Sequence, residues 1–254
     1  MRVLKIGGNE LSDPDFTALL GESVAYLLQE TDSPLVIVHG GGRAIAGLQA
    51  QLGLETIKVD GLRVTDLESL KVAQMVLSGQ SNKIVVKALL AAGVDAIGLS
   101  GVDGGLLRCR KKEHPTADLG YVGEIVDVRR RLLERLMNLG VTIALSPISL
   151  GMDGLTYNVN ADEAASAMAL ACQAEELIFV SNLPGVLSAG GLIPSMTAGE
   201  VEKYIEQGII SGGMIPKVRS ALIAVESGVA RVRIVNLSGL LVGGGTTIVA
   251  GEIW

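Results

Sequence analysis

Apolar residues in this chain fall into short β-branched runs separated by longer stretches in which they recur every three or four positions. The first pattern suits strands buried on both faces, and the second suits helices with one buried stripe. Their alternation predicts an α/β protein with a parallel sheet. Residues 3–6 and 35–38 are the first two strands. Between them Asp13 caps a helix with Pro14 in its first turn, and Phe16, Leu19, Leu20, Val24, Leu27 and Leu28 share one face. Thr65 and Glu68 have capping-box spacing and open a helix to about Ser78. A further helix covers 82–92 and a strand 95–99, while residues 104–126 read as turns and short strands, a hairpin excursion. Helix 129–139, strand 141–145, helix 162–172 and strand 176–180 restore the rhythm. Thr197 and Glu200 cap a helix to about Gln207, residues 213–228 form the last long helix, and strands at 232–235 and 247–249 finish the chain. No Pro/Ser-rich linker interrupts this order, so any two lobes share one sheet. The boundary falls near Ala174, giving lobes 1–173 and 174–254.

Composition narrows the picture. The 254 residues are enough for one large domain or two intimate lobes. With 48% hydrophobic and only 3% aromatic residues, the core is built from Val, Ile, Leu and Ala, as buried parallel sheets are. A net charge of −6 argues against a nucleic-acid surface, and the short basic clusters at 108–112 and 129–131 read as solvated faces. Cys109 and Cys172 have the spacing of neither a metal site nor a disulfide framework, and Cys172 reads as a small core residue. The longest Ala-rich stretch, 164–174, contains Ser166 and Gln173 and is too short to span a bilayer. The first strand starts at residue 2 with no leader pattern before it; the expectation is a cytoplasmic enzyme, off the membrane.

The candidate chemistry lies in four glycine-rich turns expected at strand-to-helix junctions: Gly7-Gly8, Gly40–Gly42, Pro184-Gly185 and Gly212-Gly213. Glycine lets a backbone approach a ligand closely, and N–H groups at a helix start favour an anion. Two lysines stand beside such turns in locally unfavourable places. Lys5 lies inside an apolar strand, and Lys217 lies in the first turn of a helix, where the dipole would not choose a cation. Such conflicts cluster at functional sites. Asp162 heads an Ala-rich helix and has two readings of equal weight: a helix cap, or a carboxylate that holds two ammonium groups. Phosphoryl transfer fits this inventory, because its transition state asks for electrostatic positioning more than covalent help. A carboxylate acceptor needs no general base, which suits a chain with two histidines. The chain has no G-x-x-x-x-G-K-[ST] loop, no protein-kinase H-R-D or D-F-G set, and no G-x-G-x-x-G after the first strand.

These pieces resemble the amino-acid-kinase family, and within it the N-acetylglutamate kinases, over nearly the whole chain. The motifs Lys5-Ile6-Gly7-Gly8, Val38-His39-Gly40-Gly41-Gly42, Asp60-Gly61-Leu62-Arg63-Val64-Thr65-Asp66, Asn82-Lys83 and Gly98-Leu99-Ser100-Gly101 come in family order. Asp118-Leu119-Gly120-Tyr121-Val122-Gly123, Asn158-Val159-Asn160-Ala161-Asp162 and Gly212-Gly213-Met214-Ile215-Pro216-Lys217-Val218 follow. The resemblance implies a three-layer sandwich around an open, mostly parallel eight-stranded sheet, with the acyl amino acid in the N-terminal lobe and ATP in the C-terminal lobe. It implies phosphorylation of the side-chain carboxylate of N-acetyl-L-glutamate, a step of arginine biosynthesis, with Mg²⁺ arriving on ATP and no metal held by protein alone. Lys5 and Lys217 would flank the transferring phosphoryl group, Asp162 would organise them, and the N–H groups of Gly8 and Gly41 would complete the clamp. Gly41 and Gly42 would also touch the acyl amino acid, whose α-carboxylate end Arg63 and Asn158 would bind, Arg63 with its bidentate fork. Asn182, Leu183, Pro184, Gly185, Val186 and Leu187, with Ile209, Ile210 and Ser211, would line the nucleotide site.

Two departures from the family pattern carry expectations. Ser181-Asn182 stands where the family has Ser/Thr-Asp, altering ribose or magnesium contacts. The extra N-terminal helix of arginine-inhibited hexameric relatives does not precede the first strand, so the expectation is an arginine-insensitive homodimer. The nearest rival is a sibling kinase of α-aminoadipate or glutamate linked to an acidic carrier protein, for which the basic run 108–112 offers a patch. A hydrolase reading of His39-Gly40-Gly41-Gly42 fails: Gly98-Leu99-Ser100-Gly101-Val102 lacks the last glycine of G-x-S-x-G, and no histidine follows His114. His39 reads instead as a structural hydrogen-bonder beneath the glycine turn.

Overall fold

The computed structural model describes residues 1–8, 10–30 and 33–251. Strand β1 (Arg2–Ile6) leads through α1 (Pro14–Glu30) to β2 (Leu35–His39) and α2 (Gly42–Gln51). A small hairpin, β3 (Lys58–Val59) and β4 (Leu62–Arg63), precedes α3 (Leu67–Gln74), which passes through a π-helical stretch, Met75–Ser81, into α4 (Asn82–Ala91). Then come β5 (Ala96–Ser100), β6 (Leu107–Lys111), β7 (Gly123–Val128), α5 (Arg130–Met137), β8 (Thr142–Ser146), β9 (Ile148–Gly151) and β10 (Thr156–Asn158). The remainder is α6 (Ala161–Ala171), β11 (Glu176–Val180), the hairpin β12 (Leu187–Ser188) and β13 (Gly191–Leu192), β14 (Ser195–Thr197), α7 (Ala198–Glu206), α8 (Met214–Glu226), β15 (Val232–Val235), α9 (Leu237–Leu240) and β16 (Thr246–Val249).

Among the described residues, eight strands form one sheet in the order β14-β16-β15-β11-β1-β2-β8-β5. Every pair in it is parallel except β15 with β16. The alternation of side chains along each strand feeds two cores. Leu4, Ile6, Ile37 and Ile178 pack with Leu20, Val24 and Leu27 of α1 and Val85 and Leu89 of α4. Val3, Val36, Val38 and Leu177 face the opposite layer, with Ala164, Ala165 and Met168 of α6 and Val218, Ala221 and Val225 of α8. Cys109 and Cys172 are buried in this second core, where desolvation pushes their thiols up to about 12 and about 11. No described helix is long and apolar enough to cross a membrane.

The structure corrects several local readings. The cap of α3 is Asp66, whose carboxylate accepts from the Ser69 N–H at 2.7 Å, and Thr65 is instead fully buried, its backbone bonded to Leu119 and Tyr121. The helices expected to part near Ser78 form one helical run from Leu67 to Ala91, because the π-helical stretch carries the chain through without a turn. The hairpin excursion, β6 with β7, is real, but it belongs to a four-stranded sheet, β10-β9-β6-β7, with two strands the sequence pattern did not reveal. Of the four glycine turns, only Gly40–Gly42 joins a strand directly to a helix. Gly7-Gly8 precedes the loop that leads to α1, Pro184-Gly185 leads into β12, and Gly212-Gly213 joins α7 to α8.

Candidate active site

In open parallel sheets ligands bind beyond the carboxyl ends of the strands, where the strand order reverses. Here that point is β1, flanked by β2 and β11, and the candidate residues converge on its C-terminal end. The period of two places Lys5 on the same face as Val3, toward α6. Its ammonium lies 2.7 Å from Asp162 Oδ1. That oxygen is buried and has no hydrogen-bond donor in good alignment, so the pair is held by charge. The capping reading of Asp162 is answered by its neighbour: Asn160 Oδ1 accepts from the Asp162 and Glu163 N–H groups at 2.7 and 3.4 Å. The Asp162 carboxylate is thereby left to Lys5.

Lys217 is held separately. Its ammonium donates to Ser181 Oγ at 2.8 Å and reaches Asn182 Oδ1 at 3.4 Å, just past the end of β11. Burial and the nearby Lys5 charge lower its pKa, while Glu10 and Asp162 act to raise it. Asp162 therefore pairs directly with Lys5 and reaches Lys217 only through its field. Asn182 occupies the position where a carboxylate was expected, and it offers Lys217 an amide oxygen.

The glycine turns of β1 and β2 are in contact. A Cβ on Gly8 would collide with the backbone of Gly40 and Gly41, so only glycine permits this approach. Beneath the turn, His39 is buried and its pKa is lowered to about 4, chiefly by desolvation. Asn82 donates its amide to His39 Nε2 at 3.1 Å, which leaves Nδ1–H to donate to Gly40 O at 3.2 Å. The ring is neutral and structural, as its sequence context suggested.

A cavity of about 260 Å³ is lined by Lys5 and Asp162, by Arg63 and Asn158, and by Gly41 and Gly42. It is smaller than the roughly 300–1,000 Å³ typical of drug-sized ligands and suits a small one. Arg63 is oriented by Gln49 Oε1 at 2.6 Å, Thr56 Oγ1 at 3.2 Å and Gly42 O at 3.1 Å. Burial lowers its pKa. An arginine has five N–H donors, so some remain for a ligand. Gln49 is itself buried and fixed by donating to Ser69 Oγ at 2.9 Å; nothing in the local sequence marked it or Thr56 as supports. Asn158 is placed by its backbone bond to Tyr121 O at 2.9 Å and by Thr65 Oγ1 at 3.4 Å. Ser181 and Asn160 were quoted in motifs but their partners were not foreseen.

The residues read as a nucleotide site flank Lys217. Asn182, Leu183, Pro184 and Gly185 form the turn after β11. Val186 is buried with its N–H on Thr246 Oγ1 at 2.8 Å, and Leu187 opens β12. Ile209, Ile210 and Ser211 lie in the connection between α7 and α8, just before Gly212-Gly213, and Ile210 is buried in the same core as Val186. Exposed Leu183 and Leu187 give this end an apolar surface. The basic run 108–112 is largely neutralised: Arg110 pairs with Glu124, Lys111 with Asp118 and Lys112 with Glu163.

An open parallel sheet with two lysines, an aspartate and facing glycine turns at its switch point defines a phosphate-handling α/β enzyme. The model of the amino acid kinase family matches residues 1–236, and the chain belongs to that family. It is 49% identical over 252 residues to the acetylglutamate kinase of Roseiflexus castenholzii, covering 99% of this chain and 95% of that one. It is 41% identical over 256 residues to the acetylglutamate kinase of Methanopyrus kandleri, covering 98% and 100%. Among solved structures, smu.665 from Streptococcus mutans matches with a TM-score of 0.82 and 32% identity, covering 98% of each chain. The N-acetylglutamate synthase of Neisseria gonorrhoeae, complexed with coenzyme A and N-acetyl-glutamate, matches with a TM-score of 0.84 and 26% identity over 100% of this chain and 60% of that one.

Proposed function

We propose that the protein transfers the γ-phosphoryl group of ATP to the side-chain carboxylate of N-acetyl-L-glutamate, the acyl-phosphate-forming step of arginine biosynthesis. The observation that carries this reading is that one cavity is lined both by the Lys5–Asp162 pair and by Arg63 with Asn158. An acceptor with a carboxylate at each end spans it: Arg63 and Asn158 take the α-carboxylate, and the side-chain carboxylate points at Lys5. A carboxylate oxygen attacks the γ-phosphorus, the bond to the β,γ-bridging oxygen breaks, and ADP leaves with that electron pair. No proton need move. Lys5, Lys217 and the N–H groups of Gly8 and Gly41 neutralise the charge spread over the transferring oxygens. The magnesium complex of ATP is the second substrate, its adenosine toward 182–187 and 209–211. The lobes 1–173 and 174–254 thus divide acceptor from nucleotide, in a cytoplasmic enzyme. Exposed Leu67 and Met75 on the long helical run and the open edge of β5 support a homodimer, which light scattering tests.

The decisive assay traps acyl phosphate with hydroxylamine, comparing N-acetyl-L-glutamate with glutamate and N-acetyl-α-aminoadipate. Turnover confined to N-acetyl-L-glutamate is expected. Silence on all free acceptors would overturn the reading in favour of a carrier-linked one.

A further inference from the structure

The buried face of α2 carries Ile45 and, one turn further on, Gln49, a polar side chain only 1% exposed. An enclosed amide must spend its donors and acceptor on protein groups. Gln49 Nε2 donates to Ser69 Oγ of α3 at 2.9 Å, while its Oε1 accepts from Thr56 Oγ1 at 2.9 Å and from Arg63 Nη1 at 2.6 Å. These contacts fix which way the amide points, because turning it over would set its NH₂ against the guanidinium. Arg63 Nη1 also reaches Thr56 Oγ1, and Nη2 donates to Gly42 O. Three of the five N–H donors are thus taken, and the Nε–H and one Nη2–H have no partner among the described residues. Among the described residues, each group that holds Arg63 is neutral: an amide, a hydroxyl and a peptide carbonyl. A glutamate at position 49 has the same shape and could keep the same contacts, since the Ser69 hydroxyl can turn to donate. It would form an ion pair with Arg63 and cancel the charge that Arg63 brings to the cavity.

We infer that Gln49 determines the charge specificity of the acceptor cavity: its neutral amide fixes the Arg63 fork while leaving the full positive charge to an anionic end group of the acceptor. The inference rests on the kinase reading for the identity of that acceptor, and on the contacts alone for the clamp. Gln49 is a positioning residue, since it does not line the cavity and acts through Arg63, which does. The two uncommitted donors of Arg63 suit a carboxylate, which takes two parallel N–H bonds.

The test compares two acceptors that differ only at the end assigned to Arg63: N-acetyl-L-glutamate and its α-carboxamide, N-acetyl-L-isoglutamine, each with a free side-chain carboxylate. For the wild-type protein the carboxamide is expected to have a KM about 10- to 100-fold higher, the scale of a hydrogen bond to a charged group. In Gln49→Glu the KM for N-acetyl-L-glutamate rises by a similar factor, that for the carboxamide changes little, and kcat for both is kept. The ratio of the two KM values therefore falls toward one, whereas a merely structural loss would raise both and keep the ratio. The clamp itself is read from the ¹⁵N side-chain signals of Arg63, assigned by their absence in Arg63→Lys. Separate Nη signals are expected in wild type and Gln49→Glu, and averaged ones in Gln49→Met. Acetate, a bare carboxylate, should shift the Nε–H signal of wild type and leave that of Gln49→Glu in place. An unchanged KM ratio in Gln49→Glu, an Arg63 fork equally ordered in Gln49→Met, or an equal response to acetate in wild type and Gln49→Glu would overturn the inference. A wild-type protein that turns over neither acceptor would sink the functional reading alone, since the Arg63 signals still decide the role of Gln49.

Discussion

At the scale of single residues, the site sets a partly buried lysine against a buried, neutral histidine ring. Lys217 donates to Ser181 and Asn182 at the mouth of β11 while burial and Lys5 weigh against its charge. On the proposed mechanism Lys217→Ala removes a donor to the transferring group and leaves the proposed acceptor cavity, which Lys217 does not line, intact. The expected result is a fall in kcat of about 10²–10³-fold with KM for the acceptor nearly unchanged, and full activity would refute the mechanism. His39 is the opposite case. Its folded pKa is lowered to about 4 from an ordinary 6.5, so below pH 6.5 the unfolded chain binds a proton that the native one refuses. The stability this contributes is complete above pH 6.5 and is lost as pH falls toward 4, in total on the order of 3 kcal/mol. Urea midpoints measured from pH 7 to pH 4 should decline accordingly. In a folded His39→Gln protein that part of the decline should vanish; an identical slope would show that other groups cause it.

At the scale of elements, the Lys58–Arg63 hairpin brings Lys58, Gly61, Leu62 and Arg63 to the acceptor cavity. At its tip Asp60 adopts a positive φ of 48°, and its carboxylate lies 3.1 Å from His114 Nε2 of the loop between β6 and β7. Thr116 N–H points to His114 Nδ1 at 3.4 Å, which leaves Nε2–H to donate even when the ring is neutral. Asp60→Ala should therefore loosen the hairpin and raise KM for the acceptor about two- to fivefold, the scale of an exposed pair, with kcat little changed. A larger loss of kcat than of KM would contradict a purely orienting role. The sequence could not disclose this latch, because its two ends lie more than fifty residues apart. What it did disclose were conflicts readable within a few positions. A lysine in an apolar strand, a lysine in the first turn of a helix and an aspartate at a helix head lie in the structure around the C-terminal ends of β1 and β11. The long helical run was misread because Gly79 and Ser81 resemble a helix end, whereas the π-helical stretch absorbs them and packs Leu77 and Ser81 beneath Gly41. Strands β9 and β10 were missed because they are short and find their partners across the second sheet.

At the scale of the whole molecule, one sheet carries both halves of the site. Strand β1 bears Lys5 and the Gly7-Gly8 turn, and it is paired along its length with β2 on one side and β11 on the other. The division at residues 173/174, reasonable from sequence because the chemistry changes there, therefore cuts between neighbours that share a core: Ala164, Ala165 and Met168 of α6 pack with Val218 and Ala221 of α8. Removing 174–254 would strip β11 from β1, exposing an apolar edge and the face of α6 that α8 covers. The lobes are proposed to take different ligands yet should fold together. Calorimetry of the full chain should show one transition with equal calorimetric and van't Hoff enthalpies. N-acetyl-L-glutamate and the magnesium complex of a non-hydrolysable ATP analogue should each raise its Tm as a whole, since either binds only the intact fold. A soluble, cooperatively folded 1–173 fragment, or two transitions of which each ligand moves only one, would show that the lobes are separate folding units. The Lys5–Asp162 pair and Lys217 would then meet by docking of two bodies instead of being fixed by one sheet.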